Sequence, residues 1–148
     1  MRARIEIFQA IIAAWKAKDI DAVLAHMADD IVWHFAAGVA PPVTSKAGAR
    51  KFLQRFGGEI RQITWRVFDS AESADRLFVE GVDEYETTDG LRIVAPYAGV
   101  LEFRGDLVTR WRDYVDVGVI EAQKAGGPVS AHVEALVARP ALPSAVHA

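Results

Sequence analysis

The chain has 148 residues, 51% hydrophobic and 25% charged, enough apolar material for the core of one domain. A formal net charge of −3, with both signs spread along the sequence, leaves no basic field to attract nucleic acid or an anionic membrane. Without cysteine there is no disulfide framework, thiol nucleophile or thiolate metal site, and a cytoplasmic location is the expectation.

Ile5, Phe8, Ile12 and Trp15 recur at helical spacing, with Ile7 and Ile11 widening the stripe, which predicts an amphipathic helix over residues 3–17. Glu6, Gln9 and Lys16 interrupt this apolar run and no small-residue cleavage site follows, so neither a signal peptide nor a membrane span is read there. Residues 18–30, KDIDAVLAHMADD, predict a second helix with Ile20, Val23, Leu24 and Met27 inward and Asp19 or Asp21 near its N-cap. A short strand, IVWHF, spans residues 31–35. Gly38 and the Pro41-Pro42 pair mark a loop, and residues 47–59, AGARKFLQRFGGE, predict a third helix closing at Gly57 and Gly58.

From residue 60 the period changes to two. Residues 63–71, 75–87, 92–104 and 107–117 read as four strands separated by turn signals such as TTDG and RGD. Helices followed by consecutive hairpins predict an α+β domain over residues 1–124, in which a curved antiparallel sheet packs its concave face on three N-terminal helices. Such a cone holds a pocket. Residues 125–148 contain Gly126-Gly127, three prolines and many alanines, and are expected to be a flexible or late-helical tail in which only SAHVEALVA looks helical.

Strand alternation decides which side chains share the pocket. If Trp111 faces the helices, so do Thr109, Asp113 and Val115, while Arg110, Arg112 and Tyr114 face away. In FVEGVDEYE, residues 78–86, three glutamates make one face the wetter one and turn Asp83 inward with Val79, Gly81 and Tyr85. Two carboxylates, Asp83 and Asp113, thus fall in one apolar cavity, where burial and mutual repulsion favour one proton on the pair. An acid beside a base suits water activation or proton transfer at neutral pH. His26, His34, His132 and His147 show no metal-ligand spacing, and neither a metal nor another cofactor is expected.

The order of elements, WRDYVD on the last strand and EGVDEYE two strands earlier resemble the limonene-epoxide-hydrolase and SnoaL-like branch of the nuclear transport factor 2-like superfamily, over roughly residues 3–120. The resemblance implies a cone-shaped curved sheet capped by helices, the cystatin-like fold, often dimerising through the outer face of the sheet. It also implies that Asp113 in WRDY activates water and that Asp83 in EGVD donates a proton to the epoxide oxygen. The family's bridging Arg, two residues before the acid, falls at Gly81, which is expected to open space above Asp83. The family's water-holding Tyr and Asn fall at Trp33 and Phe35. Arg66 is the nearest candidate for a substitute bridge, and a solvated strand Arg is its plainer reading.

By alternation and by the resemblance, Trp33, Phe35, Tyr85, Ala95, Tyr97, Trp111 and Val115 line the cavity around the two catalytic candidates, with Tyr85 and Tyr97 offering phenol donors. The leading expectation is a cofactor-independent hydrolase of a small lipophilic epoxide that works without the family Arg. Proton transfer of the ketosteroid-isomerase or polyketide-cyclase kind, or noncatalytic binding of an apolar ligand, are the alternatives. A homodimer is expected from the family and from Phe78 and Val82 on the outer face, which a covering helix would explain equally.

Overall fold

A computed structural model describes residues 2–143. The end of the predicted tail, with His147, lies outside them. Helix α1, Arg4–Lys16, buries Ile7, Phe8, Ile11 and Trp15, with Ile5 and Ile12 at the border of the stripe. Helix α2, Ile20–Leu24, starts at Asp19, whose carboxylate accepts from the Ala22 amide at 3.0 Å. It does not continue to residue 30 as the periodicity predicts. Strand β1, Met27–His34, begins there instead, because Met27 pairs with Val108 and the Val108 amide donates to the His26 carbonyl at 2.9 Å. Long-range strand pairing overrides a local helical pattern, and Met27 is buried either way.

Strand β2, Val43–Thr44, leads into helix α3, Ser45–Glu59. This helix runs through Gly57 and Gly58 rather than closing at them. Gly57 serves packing: a Cβ there would come 3.3 Å from the Trp15 indole. Strands β3, Ile60–Ser73, β4, Arg76–Thr87, β5, Arg92–Arg104, and β6, Leu107–Val115, then form consecutive hairpins. The six strands make one sheet in the order β2-β1-β6-β5-β4-β3. All neighbours are antiparallel except β1 and β6, which are parallel. The fold is thus α+β, with a curved, unclosed mixed sheet.

Curvature is visible in single side chains. Trp65 on β3 lies at the far edge from β6, yet its ring centroid is 6.1 Å from that of Trp111 on β6. Two bulges help the sheet bend, one where the β3 register shifts between Val67 and Asp69 and one between Glu102 and Phe103 on β5. The second bulge corrects the simple alternation of β6. Val108 and Trp111 are both buried against the helices, and Thr109, predicted inward, donates its hydroxyl to the Glu102 carbonyl at 3.2 Å.

Two further helices follow the last strand. Helix α4, Val117–Lys124, is capped by the Asp116 carboxylate, which accepts from the Val119 amide at 3.3 Å. Helix α5, Ala131–Ala138, is capped by the Ser130 hydroxyl. The convex face of the sheet receives α5 and the Val119 side of α4, whose Val117 and Ile120 turn to the concave side. Phe68, Val82 and Val94 form a second apolar cluster with Val133, so Val82 is fully buried while Phe78 stays 40% exposed. Polar contacts fasten the same region. The buried Gln123 amide accepts from the Val94 N–H at 2.7 Å and donates to the Val94 carbonyl at 2.9 Å. Arg92 pairs with Glu134, and Arg139 pairs with Glu80 while lying 4.5 Å over the Phe68 ring. Among the described residues, no helix is long and apolar enough to cross a membrane.

Candidate active site

The concave face of the sheet, closed by α1, α3 and α4, encloses a cavity of about 420 Å³. All nine site residues named from the sequence line it: Asp83 and Asp113 with Trp33, Phe35, Tyr85, Ala95, Tyr97, Trp111 and Val115. Arg66 does not. Its side chain projects to the convex face and pairs with Glu84 at 2.7 Å, and Glu84 also holds Arg92 at 2.9 Å. His34 is likewise absent from the lining.

The walls are aromatic. Trp33, Trp111 and Trp65 stack in a row, with centroids 5.3 and 6.1 Å apart and interplanar angles of 27° and 19°. Phe8 of α1 meets Trp65 and Trp111 edge-on at 5.4 and 5.8 Å, the geometry that the ring quadrupole favours. A second bank runs along α3, where Phe52 stacks on Phe35 at 4.4 Å and Phe56 stacks between Phe52 and Trp15 at 5.9 and 6.0 Å. Sequence reasoning missed Trp65, Phe52, Phe56 and the α4 residues Val117 and Ile120. Trp65 shares the parity of the buried Ile63 and Val67, and Phe52 and Phe56 stand four apart on one helix face, so both signals were present. Glu59, Glu121 and Lys124 supply charge to the cavity lining, and all three are exposed.

The two carboxylates differ in their partners. Asp113 Oδ1 accepts a hydrogen bond from Trp111 Nε1 at 3.0 Å, whereas Asp83 Oδ1 is buried with no partner. Burial pushes both carboxyl groups up to about 7. The neighbouring Glu84 charge adds to the shift of Asp83, and the Asp83 charge adds to that of Asp113, which the Trp111 donor opposes. Among the described residues, neither carboxylate has a Lys or Arg within ion-pairing distance. A pair without a cation holds at most one negative charge comfortably. The indole donor makes Asp113 the better site for that charge and leaves Asp83 as the better holder of the proton.

Strand β5 organises the pair. Ala95 stands opposite Asp83, Gly99 stands opposite Asp113, and Tyr97 lies between them on the same face. Both glycines flanking this arrangement are required by close approach. A Cβ at Gly99 would come 2.7 Å from Asp113 Oδ1, so the carboxylate lies over a residue with no side chain. A Cβ at Gly81 would overlap the Arg66 carbonyl oxygen and come 2.6 Å from the Tyr97 hydroxyl. The space expected above Asp83 is therefore filled: the Tyr97 hydroxyl occupies it and donates to the Arg66 carbonyl at 3.1 Å. No longer side chain fits at position 81 with the strands so placed. Burial raises the Tyr97 phenol well above its ordinary value and the Tyr85 phenol up to about 12, so both stay protonated donors.

The SnoaL-like domain family matches residues 8–111. No curated protein matches the chain. Among solved structures, an LEH-like epoxide hydrolase from M. tuberculosis is 24% identical with a TM-score of 0.72, covering 91% of this chain and 95% of its own. A SnoaL-like polyketide cyclase from Shewanella denitrificans, itself so described only provisionally, is 14% identical with a TM-score of 0.76, covering 83% and 97%. A protein of ketosteroid isomerase-like fold from Catenulispora acidiphila, solved with trimethylamine, is 21% identical with a TM-score of 0.72, covering 83% and 94%. At these identities the likeness speaks for the fold alone, and it agrees with the family match. The chain belongs to the SnoaL-like domain family.

Proposed function

We propose that this chain is a cofactor-independent enzyme that moves a proton on a small lipophilic carbonyl compound, in an isomerisation or ring closure, with Asp113 as base and Asp83 as acid. The observation that carries this reading is the buried pair of carboxyls with no cation between them, at a place where Gly81 admits no side chain. An anionic Asp113 takes a proton next to the carbonyl. Protonated Asp83 then donates a hydrogen bond, or the proton itself, to the oxygen as it becomes an enolate. A carboxylic acid kept neutral by an apolar site is an effective donor to such an oxyanion. The Tyr85 phenol supplies a further donor within the same cavity, whereas the Tyr97 hydroxyl is engaged with the Arg66 carbonyl.

A second reading, hydrolysis of a lipophilic epoxide, is favoured by the resemblance of Asp113 and Asp83 to the base and acid of the epoxide hydrolases and by the breadth of the likeness to the M. tuberculosis epoxide hydrolase. Against it stand Trp33 and Phe35, which cannot accept a hydrogen bond from an attacking water.

Incubation with 2-tetralone in D2O, followed by NMR, tests the first reading. Loss of the protons beside the carbonyl should run far above the uncatalysed rate and fall by about 10² to 10⁴ in Asp113→Asn. No exchange, together with diol formation from a lipophilic epoxide, would transfer the assignment to hydrolysis.

A further inference from the structure

Four carboxyl groups, those of Glu59, Asp83, Asp113 and Glu121, and a single base, Lys124, line the cavity. Glu59, Glu121 and Lys124 are exposed and screened by solvent, so the charge left unanswered lies deeper, at Asp83 and Asp113. Each of these has one oxygen out of reach: Asp113 Oδ1 accepts from Trp111 Nε1, and Asp83 Oδ1 is sealed. Among the described residues, the two Oδ2 atoms are neither hydrogen-bonded nor sealed, and both side chains line the cavity. The chain does not answer them itself. Among the described residues no Lys or Arg stands within ion-pairing distance, Gly81 admits no side chain, and Arg66 turns to the convex face and pairs with Glu84. A ligand can bring the missing charge. A cation in the cavity relieves the repulsion between the two carboxylates, and aromatic walls attract it where aliphatic walls would not.

We propose that the cavity binds lipophilic ammonium ions, amines protonated in water, with the nitrogen held by the free oxygens of the Asp83 and Asp113 pair and the hydrocarbon body against the aromatic walls. The apolar remainder of the lining selects that body, and the carboxylates select its charge. The proposal goes beyond the proton-transfer reading and does not need it, because the pair serves as counter-ion whatever reaction it performs. Where the pair is also acid and base, a bound ammonium blocks it.

Binding, not turnover, tests this. Titration at pH 8 with 2-aminotetralin, a cation, and with 2-tetralol, its neutral isostere, can be followed through the protein's own tryptophan fluorescence. The wild type should bind the amine at least about tenfold more tightly. The double variant Asp83→Asn/Asp113→Asn keeps the shape of both side chains and removes both charges, so this preference should vanish while the affinity for 2-tetralol stays within about threefold. Glu59→Gln/Glu121→Gln should keep the preference within about twofold, because exposed charges contribute little. Should the aspartate double variant fail to fold, the glutamate variant supplies a second test. Lowering the pH from 8 to 5 protonates Asp83 and Asp113 and leaves Tyr85 and Tyr97 protonated as before, so its preference should fall about tenfold or more. Equal affinity of the wild type for the two compounds, a preference that survives in Asp83→Asn/Asp113→Asn, or one lost only in Glu59→Gln/Glu121→Gln overturns the proposal. Amine binding by a protein with no exchange activity would support the ammonium site and remove only the acid and base roles, and exchange without amine binding would do the reverse.

Discussion

The two faces of the sheet treat buried polar groups in opposite ways. On the convex face nearly every charge beneath the C-terminal helices is answered: Arg66 and Arg92 share Glu84, Arg92 reaches Glu134, Arg139 reaches Glu80, and Gln123 satisfies both backbone groups of Val94. On the concave face Asp83 Oδ1 and Trp33 Nε1 have no partner. The same β4 strand supplies both, Glu84 outward and Asp83 inward, one residue apart. Neighbouring carboxylates thus acquire opposite properties from the side they face: Glu84 is held below its ordinary value by Arg92 and Arg66, and Asp83 is pushed up by burial. Satisfied groups hold a structure together, and unsatisfied buried groups cost stability and gather at functional sites.

The contrast can be broken at several points. The largest effect on stability is expected from Gly81→Ala, because the added methyl meets the Arg66 backbone oxygen, which cannot swing away. A loss of about 3 kcal/mol or more in denaturant unfolding is expected. Gln123→Ala leaves the Val94 N–H and carbonyl without partners and should cost about 2 kcal/mol by the same measurement.

Next comes pH. Asp83 and Asp113 titrate near 7 in the folded chain and near 4 when unfolded, so the folded state binds more protons between those values. Their contribution is complete below about pH 4 and is lost as pH rises through 7. Asp83→Asn and Asp113→Asn should each flatten the fall of melting temperature between pH 5 and pH 8, and both should melt higher than the wild type at pH 8. The smallest effect belongs to Glu134→Ala on the convex face. Its ion pair with Arg92 is solvent-exposed on both sides, and its removal should shift the melting temperature by no more than about 2 °C. A large shift there would erase the distinction between the faces.

Much of this was legible in the sequence where a period of two held. Alternation around Tyr85 and Trp111 was enough to place Asp83 and Asp113 on one face, because their strands carry clear wet and dry sides. It failed at Thr109, where a bulge puts Val108 and Trp111 on the same side, and bulges leave no sign in the residue types here. The strand pattern runs on to Val117, whereas β6 ends at Val115 and helix α4 starts at Val117. Asp116 looks the same whether it closes a strand or caps a helix, and only the accepted Val119 amide tells them apart. The expectation of open space beside Gly81 failed for a related reason. A glycine announces that something approaches closely, and the sequence does not say whether that is a ligand or the protein's own Tyr97 and Arg66.

The Gln123 amide has a consequence for how this protein behaves in company. Strand β6 ends opposite Tyr97, so beyond that point β5 turns a row of backbone groups outward with no neighbouring strand. A bare strand edge of this kind is a template on which another polypeptide can add itself. Gln123 presents its own side-chain donor and acceptor there, shaped like one more peptide unit, and so closes the template with a group that cannot be extended into a further strand.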